Sequence, residues 1–169
     1  MKVLVTAASR HGATDEIAEA IGAALGEASV EADVRPVADV DSVEPYDAVV
    51  LGSAVYVGKW LDEAKAFANE HREALRARRV WLFSSGPLGE PPKPDEEPID
   101  AAPMMETTGA RGHRIFSGQL AKDRLSFGER AVVGLVRAPY GDYRNWPAIR
   151  AWAQEIAEQL RSSSAARSA

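Results

Sequence analysis

Four short runs of apolar residues constrain the fold of this chain more than any other feature of its sequence. They span residues 2–7, 48–53, 79–84 and 114–117. Polar and apolar residues do not alternate along them, which is typical of strands buried on both faces of a parallel sheet. A weaker run at residues 34–37 predicts a fifth strand at an edge of that sheet.

Amphipathic helical patterns lie between and after these runs. Segments 14–28, 60–75 and 149–160 carry apolar residues at helical spacing, and Asn145 is the predicted N-cap of the last one. Alternating strands and helices imply right-handed crossovers and a doubly wound α/β sheet with helices on both faces. Residues 1–160 are predicted to form one domain, followed by a frayed polar tail at 161–169.

The composition excludes several kinds of site. The chain of 169 residues has no cysteine, which excludes disulfides, iron–sulfur clusters and thiol nucleophiles. Its net charge of −5 argues against nucleic-acid binding. The three histidines lack metal-ligand spacing, so we expect no metal. No signal peptide and no membrane-spanning apolar run are evident, and we expect a cytoplasmic protein.

A Ser/Gly/Thr loop joins the first predicted strand to the first predicted helix. Backbone N–H groups and the positive end of the helix dipole make this junction suitable for binding phosphate. The loop consists of Ser9, Arg10, His11, Gly12, Ala13 and Thr14. Ser9 and Thr14 can donate hydroxyl hydrogen bonds, and Gly12 allows close approach of the backbone. Arg10 either strengthens phosphate binding or is solvated, and the backbone of His11 is expected to matter more than its ring.

Two further loops follow strand ends at the same edge of the predicted sheet, where open α/β sheets bind ligands. The candidate binding residues in them are Ser53, Ala54, Val55, Tyr56, Gly58, Trp60, Ser84, Ser85, Gly86, Pro87, Leu88 and Gly89. Tyr56 and Trp60 are candidates for stacking on a ring, with core packing as the alternative for Trp60. The amides around Ser85, Gly86 and Gly89 are candidate donors. Together the three loops suit a nucleotide with a flat, hydrogen-bonding ring.

The three loops, in this order, resemble those of the flavodoxin family. The matching residues are Ser9, His11, Gly12 and Thr14 in the phosphate loop, residues 52–60 and 116–120, and Asn145 with Trp146. These segments are similar to the flavodoxin-domain subgroup that includes quinone-dependent protoporphyrinogen oxidases. The resemblance extends to about Leu160. It implies FMN as cofactor and a flavodoxin-like five-stranded parallel sheet with strand order 2-1-3-4-5.

The resemblance leaves more than one function open. The first is an FMN oxidoreductase that oxidises protoporphyrinogen IX or a related substrate with a quinone acceptor. The second is a flavodoxin-type electron carrier between redox proteins, and the third is an interaction module that has lost FMN. No side chain is an evident catalytic acid or base. The expected partners are a redox protein or a small molecule of the quinone or porphyrinogen type. A peripheral membrane contact and a homodimer are also compatible with the sequence.

Two segments interrupt the strand–helix pattern. Segment 86–112 holds six of the ten prolines and is predicted to be irregular, with a short helix at 101–107. Segment 121–146 combines an apolar stretch at 125–136 with Lys122, Arg124, Arg130 and Arg137. One interpretation is a surface that binds an anionic amphipathic molecule or an anionic membrane. The other is an ordinary amphipathic helix that covers the edge of the sheet.

Overall fold

The computed structural model describes residues 1–86, 88 and 96–165, and five of its strands form one parallel sheet. The first six strands are β1 (Lys2–Ala8), β2 (Glu31–Pro36), β3 (Ala48–Tyr56), β4 (Lys59–Trp60), β5 (Arg79–Ser85) and β6 (His113–Phe116). The sheet order is β2-β1-β3-β5-β6, and the short β4 pairs antiparallel with β3. Counted over the parallel strands alone, this is the predicted order 2-1-3-4-5. The edge position of β2 is confirmed as well.

Helices cover both faces of the sheet. They are α1 (Ala13–Glu27), α2 (Asp62–Glu70), α3 (Arg72–Arg76), α4 (Ala101–Thr108), α5 (Phe127–Val136) and α6 (Trp146–Ala165). On one face, α1 and α6 pack on Val5 and Phe83 in a continuous apolar cluster. On the other face, α2, α3 and α4 pack on Leu51 and Leu82. Because strand side chains alternate between faces, one strand supplies both clusters.

The segment predicted as a single helix at 60–75 differs from that prediction. Val57 and Gly58 both have positive φ, as a two-residue hairpin turn requires, so Trp60 pairs with Val55 in the β3–β4 hairpin. The helix that follows is interrupted at His71, which separates α2 from α3. At the other end of the chain, residues 161–165 of the expected tail continue α6, and residues 166–169 lie outside the described residues.

Segment 121–146 forms an excursion beyond the carboxyl end of β6. Strands β7 (Gln119–Leu120) and β8 (Gly141–Asp142) pair antiparallel at its base, and α5 lies between them. Phe127 and Leu135 of α5 are exposed, so the interpretation of a helix that covers the sheet edge is wrong. Asn145 caps α6 as predicted, because its Oδ1 accepts a hydrogen bond from the N–H of Ala148.

Candidate functional site

The loop between β1 and α1 has the geometry of an anion site. Gly12 is the N-cap of α1 with a φ of +85°, a conformation that side chains rarely adopt, and no side chain caps the helix. The N–H of Gly12 donates to the Ser9 Oγ at 3.0 Å. Thr14 is buried in the first helical turn. Uncapped N–H groups at the positive end of a helix dipole fit a phosphate group.

Arg10 and His11 extend from this loop toward α5. The His11 Nε2 lies 3.0 Å from the Glu129 Oε1. The Arg10 guanidinium lies 4.0 Å from the same carboxylate and 4.7 Å from the centre of the Tyr56 ring. Arg10 is therefore neither simply solvated nor committed to a phosphate. Both side chains are engaged with Glu129 and Tyr56, and the role of the His11 backbone in phosphate binding stays a prediction.

Two arginines of the excursion join it to the same loop and helix. The Arg144 Nη1 lies 2.6 Å from the Glu16 Oε2 and donates to the carbonyl oxygen of Ala13. The Arg124 Nη2 lies 2.9 Å from the Glu16 Oε1, while its Nη1 donates to the carbonyl oxygen of His11. Although burial raises the pKa of Glu16, hydrogen bonds from these arginines outweigh it and lower the pKa. The excursion is thus attached to the phosphate loop by charged hydrogen bonds.

Sequence reasoning missed this attachment. The excess of arginine in the excursion was visible, but Arg144 and Glu16 are 128 positions apart, and no local pattern joins them. Arg144 also binds Asp142, and this hydrogen bond lowers the pKa of the Asp142 carboxyl. The only local indication in the sequence is that the oppositely charged Asp142 and Arg144 lie two positions apart.

The two aromatic residues of the aromatic loop after β3 lie in different environments. Tyr56 is 37% exposed and lies beside the phosphate loop through its contact with Arg10. Burial of part of the ring raises the pKa of the Tyr56 hydroxyl, so it is a neutral donor at neutral pH. Trp60 is buried in the core with α2. Of the two expected roles for Trp60, the structure gives core packing, because the β3–β4 hairpin turns its ring inward.

Three further candidates in these loops are buried polar groups of the fold. The Ser53 Oγ donates to the carbonyl oxygen of Ala54 and accepts from the N–H of Leu61. The Ser84 Oγ accepts a hydrogen bond from the Trp60 Nε1 at 2.7 Å. Ser85 is buried at the end of β5. The side chains of Ser53 and Ser84 therefore hold the aromatic loop against the core through hydrogen bonds, and both are buried.

A histidine continues this buried network. The Ser84 Oγ and the His113 Nε2 are 2.8 Å apart, and the His113 Nδ1 lies 3.5 Å from the Glu97 Oε1. Since the Trp60 N–H already donates to Ser84, the Ser84 hydroxyl can donate to an unprotonated Nε2. Burial lowers the pKa of His113, although the Glu97 carboxylate opposes the shift. Neutral His113 thus joins β6 to the buried pair of Trp60 and Ser84, and the Glu97 carboxylate lies near its other ring nitrogen.

Replacing His113 with glutamine is expected to flatten the pH dependence of stability on the acid side. A histidine whose folded pKa is lowered stabilises the fold above its unfolded pKa of about 6.5, and this contribution is lost as pH falls through the folded value. Urea unfolding at about pH 7.5 and about pH 5.5 measures the difference. The matched control is His71→Gln, between α2 and α3. Equal acid sensitivity in the wild type and His113→Gln would contradict the assignment.

The glycine loop after β5 offers fewer donors than its sequence indicates. The Gly86 N–H donates to the carbonyl oxygen of Phe116, so this amide is occupied. A Cβ at Gly86 would lie 2.8 Å from the Cβ of Val55, and one at Gly118 would lie 3.4 Å from the Gly86 backbone. Gly86 therefore serves close packing between two chain segments. Leu88 is half-buried, whereas the candidates Pro87 and Gly89 lie outside the described residues.

Two negative findings hold within residues 1–86, 88 and 96–165. No group of three or more histidine, aspartate and glutamate side chains is placed to bind a metal ion. Among the helices described there, none has the length and apolar character needed to cross a bilayer.

Comparison with known proteins places this geometry in a family. The flavodoxin domain model matches residues 4–145. Protoporphyrinogen IX dehydrogenase (quinone) of Escherichia coli K12 is 24% identical over 172 residues, covering 93% of this chain and 95% of that protein.

Solved structures show the same fold. A flavodoxin from the domain Archaea superposes with a TM-score of 0.65 at 21% identity, covering 95% of this chain and 99% of its own. Rubredoxin oxygen:oxidoreductase of Desulfovibrio gigas also gives a TM-score of 0.65, at 12% identity, over 95% of this chain and 36% of that one.

The family match and the geometry of the phosphate loop agree. The match implies FMN as the cofactor and a flavoprotein oxidoreductase as the general class. Left-handed Gly12 and the uncapped first turn of α1 have the geometry that a phosphate group of such a cofactor needs. The match also spans most of the chain and includes all three loops at the carboxyl ends of β1, β3 and β5. This chain therefore belongs to the flavodoxin domain family.

Proposed function

We propose that this chain is an FMN-dependent oxidoreductase that oxidises a reduced organic substrate, protoporphyrinogen IX or a related compound, with a quinone as acceptor. One observation carries the proposal: a basic and apolar excursion is attached directly to the loop that fits the FMN phosphate. Arg124 and Arg144 make the attachment through Glu16. The E. coli relative, whose name specifies a porphyrinogen and a quinone, supports the same direction at 24% identity.

The residues of the site would bind and orient the cofactor. Bound FMN supplies the electron or hydride transfer. The N–H groups of Ala13 and Thr14 would bind its phosphate, and the Tyr56 ring would lie against its flavin ring. Arg10, which stacks on Tyr56, would fix the orientation of that tyrosine. The described loop residues present no aromatic ring on the β5 side, which would leave one face of the flavin accessible to a small molecule.

The alternative is an electron carrier without a small-molecule substrate. The net charge of −5 favours it, because an acidic surface suits basic redox partners. The excursion that is attached to the phosphate loop carries the opposite character, since Lys122, Arg130 and Phe127 are exposed on it. This local surface suits an anionic, partly apolar molecule better than a basic protein. A cytoplasmic location remains a prediction for either function.

Tyr56→Ala is expected to weaken FMN binding about 2- to 10-fold, because an aromatic stacking contact contributes about 0.5–1.5 kcal/mol. FMN affinity is measured by quenching of flavin fluorescence during titration of the apoprotein. Tyr56→Phe keeps the ring and should bind FMN as the wild type does. Tyr140→Ala, at an exposed tyrosine before β8, is the second control. Wild-type affinity and an unchanged midpoint potential in Tyr56→Ala would contradict the stacking role.

Rapid-mixing photometry of the flavin distinguishes the candidate functions. A purified protein without flavin absorbance, and unable to bind added FMN, would be an interaction module. In the holoprotein, anaerobic mixing with protoporphyrinogen IX should reduce the flavin, and subsequent mixing with a water-soluble quinone should reoxidise it. Each quinone takes up two electrons and two protons. Slow reaction with both compounds, together with fast reaction with redox proteins, would support the carrier and contradict the proposal.

A further inference from the structure

Helix α5 exposes its apolar residues instead of burying them. Phe127 is 88% exposed, Leu135 is 85% exposed and Val132 is 60% exposed. Ala131, between them, is exposed as well. A helix of a globular protein normally turns its apolar side toward the core, so this helix is inverted relative to that rule.

The polar contacts of α5 explain the inversion. Glu129 belongs to a capping box with Ser126 and also binds His11 of the phosphate loop. Hydrogen bonds from Ser126 lower the pKa of Glu129 and keep its carboxylate charged. With 3.6 residues per turn, Phe127 and Leu135 lie on the side of the helix opposite Glu129. The bond to the phosphate loop therefore directs the apolar side away from the protein.

Basic residues border this apolar side. Lys122, Arg130 and Arg137 are exposed, and no carboxylate among the described residues lies within 4.0 Å of them. Arg124 and Arg144, by contrast, have carboxylate partners. Segment 121–146 has five basic and three acidic residues in a chain of net charge −5. Positive charge is thus concentrated next to the exposed apolar side.

We propose that α5 is a lipid-binding helix that lies in the surface of an anionic bilayer. Phe127 and Leu135 insert among the acyl chains, while Lys122, Arg130 and Arg137 contact anionic headgroups. The helix has ten residues, too few to span a bilayer, which needs about 20. A lipid surface fits this helix because the apolar side is bordered by cations that pair with no carboxylate of the described residues.

A second copy of the chain is a poorer occupant of the same face. An isologous dimer through α5 would bring the basic residues beside the apolar side of one copy near those of the other copy, and like charges repel. A bilayer rich in anionic lipid has the opposite charge. Because Glu129 contacts the phosphate loop from the opposite side of α5, a bilayer on the apolar side lies about one helix diameter from the candidate cofactor site. The inference does not depend on the proposed function.

Vesicle flotation of the FMN-loaded protein tests the proposal. The protein should float with vesicles of phosphatidylcholine and phosphatidylglycerol in equal amounts, and not with pure phosphatidylcholine. High salt should release it, because the Debye length falls from about 10 Å at 0.1 M to about 3 Å at 1 M. Phe127→Ser/Leu135→Ser should weaken binding more than about tenfold, since both apolar side chains leave the acyl region. Arg130→Glu/Arg137→Glu should weaken it by a similar factor.

Arg72→Glu/Arg150→Glu is the matched control, because it makes the same charge change at exposed arginines on α3 and α6. This control should float with anionic vesicles as the wild type does. An equal loss of vesicle binding in the control would mean that net charge alone explains the effect. This result would overturn the proposal. Absence of binding by the wild type would overturn it too.

A wild-type dimer that the serine variant converts to a monomer would assign the face to a second copy. Flavin absorbance and reaction with a water-soluble quinone, measured on the same proteins, keep this test separate from that of the proposed function.

Discussion

Replacing Thr14 with valine is expected to weaken FMN binding about 10- to 150-fold. Thr14 is buried in the first turn of α1, directly after left-handed Gly12. We expect its hydroxyl to donate to a phosphate oxygen, and a hydrogen bond to a charged group contributes about 1.5–3 kcal/mol. Valine has nearly the shape of threonine, so the change removes the hydroxyl without leaving a cavity. Titration of the apoprotein with FMN measures the affinity.

The control for this experiment is Thr14→Ser, which keeps the hydroxyl and removes only a methyl group. It should retain most of the affinity, with a small loss from the reduced packing of a buried side chain. If Thr14→Val binds FMN as tightly as Thr14→Ser does, the phosphate is bound by the backbone alone. That outcome would agree with the uncapped N–H groups of α1 but would remove Thr14 from the site.

The phosphate loop could be predicted because its geometry is local. The apolar run before Ser9, the glycine at Gly12 and the amphipathic pattern after Thr14 determine a strand, a turn and a helix within a few residues. The doubly wound sheet followed from the alternation of strands and helices, whereas its strand order came from the family resemblance alone. Patterns of this kind express the periodicity of the backbone, which a single sequence displays directly.

The remainder of the site depends on contacts between distant residues. The β3–β4 hairpin decides which aromatic residue of the β3 loop faces outward. In this hairpin Val57 adopts a positive φ, and no intrinsic propensity predicts a positive φ for valine. The hydrogen bond from the Gly86 N–H to the carbonyl oxygen of Phe116 forms only because the pairing of β5 and β6 extends to this point. The orientation of α5 depends on the contacts of Glu129 with His11 and Arg10, which are more than 110 positions away in the sequence. Periodicity identifies an amphipathic helix but does not say which side faces the protein.

Gly52→Ala is expected to lower the free energy of unfolding by about 1–3 kcal/mol, the usual range for overpacking of a core. Gly52 pairs with Phe83 across β3 and β5, and a Cβ at Gly52 would lie 2.1 Å from the Phe83 Cζ. The ring has no room to withdraw, because it is fully buried against Phe116 and Trp152. Urea unfolding measures the loss, which should appear in the midpoint and not in the slope.

Two further variants establish the cause of this loss. Gly26→Ala introduces the same methyl group in α1, where no atom lies within 4 Å of the new Cβ. It should stabilise the protein by up to about 1 kcal/mol through helix propensity. Phe83→Leu should destabilise the protein by itself, yet the double variant with Gly52→Ala should lose less than the sum of the single losses, because the smaller side chain makes room for the methyl group. Strictly additive losses would mean that the ring does not restrict residue 52.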